Sequence, residues 1–179
     1  VRFPDSLTSL GTGAFSDCAA LARIETGDGI TEIPAQTFDG CTQIKTVVLG
    51  KNVAAVGENA FSPNERGEGK DIYIDDLNAW CSLEVDDDIF GTEPFGGIAE
   101  LYVGGEPLGE ELVLPADVTK VRAWAFYGIA DLKKVVLPDG VEEIGNKAFA
   151  KGKALSKVIH PAGTRSVGDL AFAYCSTLR

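Results

Sequence analysis

Hydrophobic positions return along this chain in fixed columns 23 residues apart. Phe15, Phe38 and Phe61 form one run of the most regular column, and Phe126, Phe149 and Phe172 form a second. A small residue precedes each ring: Ala14, Thr37, Ala60, Ala125, Ala148 and Ala171. Five positions earlier stands an aliphatic (Leu10, Ile33, Val56, Val121, Ile144, Val167). Eight positions earlier stand Leu7, Ile30, Val53, Val118 and Val141, with Thr164 as the exception. Leu21, Ile44, Leu132, Leu155 and Leu178 follow the rings by six, and Ile24, Val47, Val135 and Val158 follow by nine.

The pattern inside one unit predicts its elements. Leu132-x-x-Val135-x-Leu137 ends in strand alternation. Pro138-Asp139-Gly140 turns the chain, and Val141–Ile144 predicts a second short strand. Residues 146–151 are expected to make a tight helical or 3₁₀ turn that carries Phe149 inward. A unit of 23 residues cannot shelter its own apolar side, so units must stack, each inward side chain resting on its equivalent in the next coil. Gly11, Gly57, Gly145 and Gly168 share a column in which Pro34 and Arg122 also stand. Proline cannot take positive φ, so close packing, not a left-handed backbone, explains these glycines.

Alternation also says what points away from the core. The residue between the two inward strand positions reads Glu25, Val48, Tyr73, Val113, Val136, Ile159. The column two earlier reads Arg23, Thr46, Asp71, Glu111, Lys134, Lys157, passing from acidic to basic in its second half. An apolar and aromatic stripe bordered by charge suits a binding face. Strand propensity of β-branched residues accounts for the same column without a ligand. The candidate contact residues are Tyr73, Val48, Val113, Val136, Ile159, Lys134 and Lys157.

The register fails in the middle. Phe61 and Phe126 are 65 residues apart, which is no multiple of 23, and Leu101 and Leu112 are too close for a full coil. We expect a single domain over 1–179, part of a longer array, with an irregular insertion over 62–110 and a hairpin at Val103–Glu111.

The pattern Leu-x-x-Val-x-Leu-Pro-x-x-Val-x-x-Ile-Gly-x-x-Ala-Phe-x-x-Cys-x-x-Leu resembles that of the BspA-like bacterial leucine-rich-repeat surface proteins. Residues 132–149 match it almost letter for letter, and 161–178 match its second half. Asp76–Cys81, Leu101–Glu106 and Leu112–Pro115 resemble an insertion common in that family. Departures are Ser62-Pro63-Asn64 after Phe61, and a cysteine column that reads Cys18, Cys41, Ile129, Gly152, Cys175. The resemblance implies a leucine-rich-repeat solenoid of the α/β horseshoe class, β-rich with short helical or 3₁₀ turns. It also implies an extracellular or cell-surface protein that adheres to a host matrix or microbial surface protein, with a glycan as second choice. A structural spacer without its own ligand is the alternative.

Composition narrows the partners. A net charge of -11 disfavours nucleic acid and anionic membranes, and no apolar run is long enough to span a bilayer. The chain carries no cofactor motif: Gly104-Gly105-Glu106 matches neither a dinucleotide nor a phosphate loop. His160, the one histidine, reads as a base or ligand, or as a swap in the core column of Leu49 and Leu137. A Ser-His-Asp or Cys-His arrangement would depend wholly on it, and in a chain so rich in acids two neighbouring carboxylates say little about glycoside hydrolysis, so the chain is read as no enzyme. Cys18 and Cys41 share an inward column of adjacent coils, whose spacing of roughly 4.8 Å allows a disulfide or two packed thiols. Asp86, Asp87 and Asp88 form a carboxylate run that suits calcium or a solvated loop. Trp124, outside the columns, is expected to be partly exposed, a contact residue or a shield for a coil edge.

Overall fold

The computed structural model describes residues 1–61, 69–85 and 94–179. They form a solenoid of about six turns, mostly strand with little helix. The first strand position of successive coils gives β1 (Arg23–Glu25), β3 (Thr46–Val48), β5 (Lys70–Ile74) and β7 (Ile98–Val103). These pair in parallel, and β8 (Glu106–Pro107) closes the sheet antiparallel to β7. A second sheet on the same coil position contains β9 (Glu111–Val113), β11 (Lys134–Val136) and β13 (Lys157–Ile159). The second strand position gives β2 (Glu32–Ile33), β4 (Ala55–Val56) and β6 (Glu84–Val85) in one sheet. It gives β10 (Lys120–Val121), β12 (Glu143–Ile144) and β14 (Ser166–Val167) in another.

The columns of the sequence become contacts. Phe15 stacks on Phe38 at 5.5 Å and Phe38 on Phe61 at 5.1 Å. In the other half Phe126 stacks on Phe149 at 5.2 Å and Phe149 on Phe172 at 5.3 Å. Aromatic pairs at these separations add to plain burial. Residues five, eight and fourteen back from the next ring, such as Ile33, Ile30, Ile24 and Val47, have no exposed surface.

The segment around each ring turns as expected, but its hydrogen bonds are not a helix's. Phe126 N–H donates to Ala148 O of the next coil, and Phe149 N–H to Ala171 O. Between them Ala148 N–H and Ala150 N–H turn back onto Gly145 O and Lys147 O. This alternation needs left-handed backbone two residues before each ring, at Gly13, Gln36, Asn59, Trp124, Lys147 and Leu170. It needs it again two residues after, at Asp17, Gly40, Gly128, Lys151 and Tyr174. The glycines of the repeat pattern lie elsewhere. A Cβ on Gly57 would sit 2.5 Å from Ala35 N, and one on Gly168 would sit 2.6 Å from Asn146 N. Each faces the backbone of the preceding coil, as the close-packing argument requires.

The two half-arrays are joined by an element outside the repeat. Helix α1 (Leu77–Ser82) is capped by the Asp76 carboxylate, which accepts from Ala79 N–H. It packs on β10. Trp80 donates its indole N–H to Ala125 O at 2.9 Å, and Arg122 returns its Nε to Trp80 O at 2.9 Å. The Arg122 guanidinium also lies 3.9 Å from the Trp80 ring centroid. Arg122 takes the glycine column where α1, and not the backbone of a second-position strand, packs on β10. Phe95 continues the first aromatic stack, 5.5 Å from Phe61 and 5.3 Å from Trp80.

Trp124 is buried, contrary to the expectation of partial exposure. Lys147 lies 4.0 Å above its ring and Tyr127 meets it edge-on, so neighbours in and beside its own coil cover it.

Candidate functional site

The outward face of the first-position strands is the candidate site, and strand register builds it. Thr46, Asp71 and Glu100 are successive partners across β3, β5 and β7. Val48, Tyr73 and Tyr102 are partners in the parallel row, and Pro107 of β8 stands opposite Tyr102. On β5 the inward Ile72 is fully buried while Asp71 and Tyr73 are half-buried. The Tyr73 and Tyr102 rings stack at 4.2 Å with 7° between their planes. Arg23 lies 5.9 Å from the Tyr73 centroid and is held by Glu25 at 2.8 Å.

In the second half Lys134 pairs with Glu111 and Lys157 along one row, and Val136 pairs with Val113 and Ile159 along the next. Val113 and Ile159 are 58% and 41% exposed, and Val136 is half-buried. These residues therefore form real rows on one face. The stripe is nevertheless broken between β8 and β9, which belong to different sheets. Lys134 is held by Glu111 at 2.6 Å. Among the described residues no carboxylate pairs with Lys157.

Electrostatics divides the face. The guanidinium of Arg23 holds the Glu25 carboxyl below its usual value. Burial, then the charges of Asp131 and Asp71, raise Glu100. Burial, then Tyr73 and Asp71, raise the Tyr102 phenol. The centre of the face thus holds Asp71 and Glu100 side by side on neighbouring strands. Among the described residues no cation forms an ion pair with either one or with Asp131.

Tyr102, Glu100 and Pro107 were not foreseen in the rows. Leu101-Tyr102-Val103 repeats the in–out–in pattern of Ile72-Tyr73-Ile74, and that alternation was the available signal. The 23-residue period hid it, because it pointed from Tyr73 past β7 to β9.

The chain resembles known proteins in sequence pattern and in fold. The model of the BspA type leucine-rich repeat region matches it in six copies, over residues 1–70 and 108–179. The chain belongs to the BspA-type leucine-rich repeat family. Comparison with curated proteins gives no match. Among solved structures, a leucine rich cell surface protein from Faecalibacterium prausnitzii is similar in fold, with a TM-score of 0.57 at 19% identity. The likeness covers 99% of this chain and 65% of that one, so the chain spans less than two thirds of that protein. A leucine-rich repeat protein from Bacteroides ovatus aligns with a TM-score of 0.43 at 18% identity, covering 100% of this chain and 59% of that one.

The other candidate chemistry of this BspA-type chain stays dispersed. His160 is exposed, outside the core column, with its Nδ1 3.3 Å from Pro161 O. Pro161, its neighbour, takes the buried place instead. Cys18 and Cys41 are free thiols, the first exposed and the second buried. The cysteine column has a different use: Cys41 donates its S–H to Phe15 O at 3.0 Å, and Cys175 to Phe149 O at 3.2 Å. Asp86, Asp87 and Asp88 lie outside the described residues. Within the described residues no cluster of three metal-binding side chains occurs, and no helix is long and apolar enough to cross a membrane.

Proposed function

We propose that this chain is a non-catalytic binding module of a bacterial surface protein, engaging a protein partner through the outward face of its first-position strands. The observation that carries the reading is the row Val48–Tyr73–Tyr102, a half-exposed apolar and aromatic strip held rigid by strand pairing on both sides, parallel to β1 and antiparallel to β8 at its two edges. Stacked tyrosines on a fixed backbone supply contact area at small entropic cost. Val113, Val136 and Ile159 extend the face in the second half, with Lys134 and Lys157 beside them. The expected partner is an extracellular host matrix protein or a microbial surface protein.

A spacer role is the second reading, favoured by the β-branched side chains of the second half, which strands prefer with or without a ligand. One experiment separates the two. Purified matrix, plasma and bacterial surface proteins are immobilised, and capture of the wild-type chain is compared with the Tyr73→Asp, Val136→Asp double variant. The binding reading expects capture of at least one protein, weakened roughly tenfold or more in a variant with unchanged circular dichroism. Equal capture by both would move the site elsewhere, and no capture at all would support the spacer.

A further inference from the structure

We propose that the tyrosine pair and the carboxylates beside it form a subsite for a lysine or arginine side chain of the protein partner. The inference rests on the binding role of this face and names the chemistry at its centre.

Three observations on β5 and β7 converge. First, Asp71 and Glu100 are direct partners in the parallel ladder, so two carboxylates face outward on adjacent strands roughly 4.8 Å apart. Like charges placed opposite each other destabilise a sheet, and Asp131 adds a third negative charge near Glu100. Among the described residues no internal cation neutralises this group. Glu111, the next acid in the column, differs in being paired with Lys134.

Second, Tyr73 and Tyr102 flank this pair on the same strands, two residues along. An extended side chain with an alkyl stem and a charged head fits that spacing. The stem lies along the phenol rings and the head reaches the carboxylates, as amphipathic cations do on apolar surfaces. Third, Arg23 already brings a guanidinium to 5.9 Å from the Tyr73 centroid, so the ring accepts a cation from this side of the sheet.

A sugar is the weaker occupant. A neutral sugar ring would leave the Asp71 and Glu100 carboxylates uncompensated. Charge complementarity therefore selects a basic protein segment.

The test uses the whole chain and defined probes: tetra-arginine, tetra-lysine, their neutral counterpart tetra-citrulline, and a chitin oligosaccharide, each titrated by calorimetry. Because the chain is acidic overall, charge alone attracts basic peptides. The decisive comparison is therefore Asp71→Asn with Glu100→Gln against Asp139→Asn with Glu142→Gln, which removes the same charge elsewhere. The proposal expects tetra-arginine to bind and tetra-citrulline not to. The first pair of substitutions and Tyr102→Leu should each weaken tetra-arginine about tenfold, and the second pair less than about twofold. Equal loss in both pairs would reduce the effect to diffuse attraction and overturn the proposal. So would binding of the oligosaccharide in place of the peptides, or no binding of either. Should the double variant Tyr73→Asp, Val136→Asp lose a captured partner that Asp71→Asn with Glu100→Gln retains, the binding face would stand and this subsite would fall.

Discussion

Phe149 shows what a single repeat position is worth. It lies 5.2 Å from Phe126 and 5.3 Å from Phe172 and is almost fully buried. Phe149→Ala opens a cavity that the neighbouring rings cannot fill and is expected to cost about 3–5 kcal/mol in a denaturant melt. Lys147, two residues away, reads in the sequence as a solvent residue. Its ammonium lies 4.0 Å from the Trp124 ring, and Lys147→Ala is expected to cost about 0.5–1 kcal/mol. Equal losses at the two positions would contradict the inward assignment of the ring column. Glu100 makes a pH-dependent case. Burial and the nearby Asp131 and Asp71 raise its folded pKa, so the fold holds this proton more tightly than the unfolded chain does. Its ionisation therefore weakens the fold as pH rises through the raised value, and below the unfolded value the penalty is absent. Glu100→Gln is expected to raise the melting temperature at neutral pH and leave it unchanged near pH ~3, where both states are already protonated. A gain of equal size at both pH values would show that charge is not the cause. Among the cysteines, burial pushes Cys81 up to about 12, while Cys18 is exposed. Alkylation of the native chain at mildly alkaline pH should label Cys18 first, and Cys81 only after unfolding, as read by peptide mass spectrometry.

At the scale of elements, repetition decided what could be read. Strands β1, β3, β11 and β13 and the rings beside them occur where the period is kept, because every coil must place the same atoms against its neighbour. The left-handed residues flanking each ring carry no sequence mark: Gln36, Asn59, Trp124, Lys147 and Leu170 share a φ sign and little else. Inter-coil hydrogen bonds impose that conformation against local preference. Within 62–110 the period is lost and local rules take over. The hairpin lies at Tyr102–Pro107, tighter than the Val103–Glu111 span suggested, because Gly104 and Gly105 both have positive φ (58° and 91°) and close it in two residues. Gly104→Asn should keep the hairpin within about 0.5 kcal/mol, since asparagine tolerates that region. Gly105→Val should lose about 1–2 kcal/mol. A chemical melt of both variants checks the pair, and equal stabilities would place the turn elsewhere. The joint made by Trp80 and Arg122 was not legible, since it depends on two side chains more than forty positions apart in sequence meeting on a single helix.

For the whole molecule, stacking turns a weak repeat into a rigid face. Each coil contributes one outward residue per row, and parallel pairing fixes that residue relative to its neighbours. The face is made of two segments, because β8 ends the first sheet before β9 begins the second. Its first segment combines aromatic rings with uncompensated acid, and its second combines aliphatic side chains with lysine. A partner that spans both must therefore be mixed in charge, basic opposite Asp71 and Glu100 and acidic opposite Lys157. The most direct test labels the tyrosines of the chain chemically, alone and with a captured partner, and reads the modified peptides by mass spectrometry. The chain has four tyrosines: Tyr73 and Tyr102 on the proposed face, Tyr127 beside Trp124, and Tyr174, 75% exposed, far along the last coil. The account predicts that the partner protects Tyr73 and Tyr102 and leaves Tyr174 fully reactive. Protection of Tyr174 with unchanged labelling of Tyr73 and Tyr102 would contradict it.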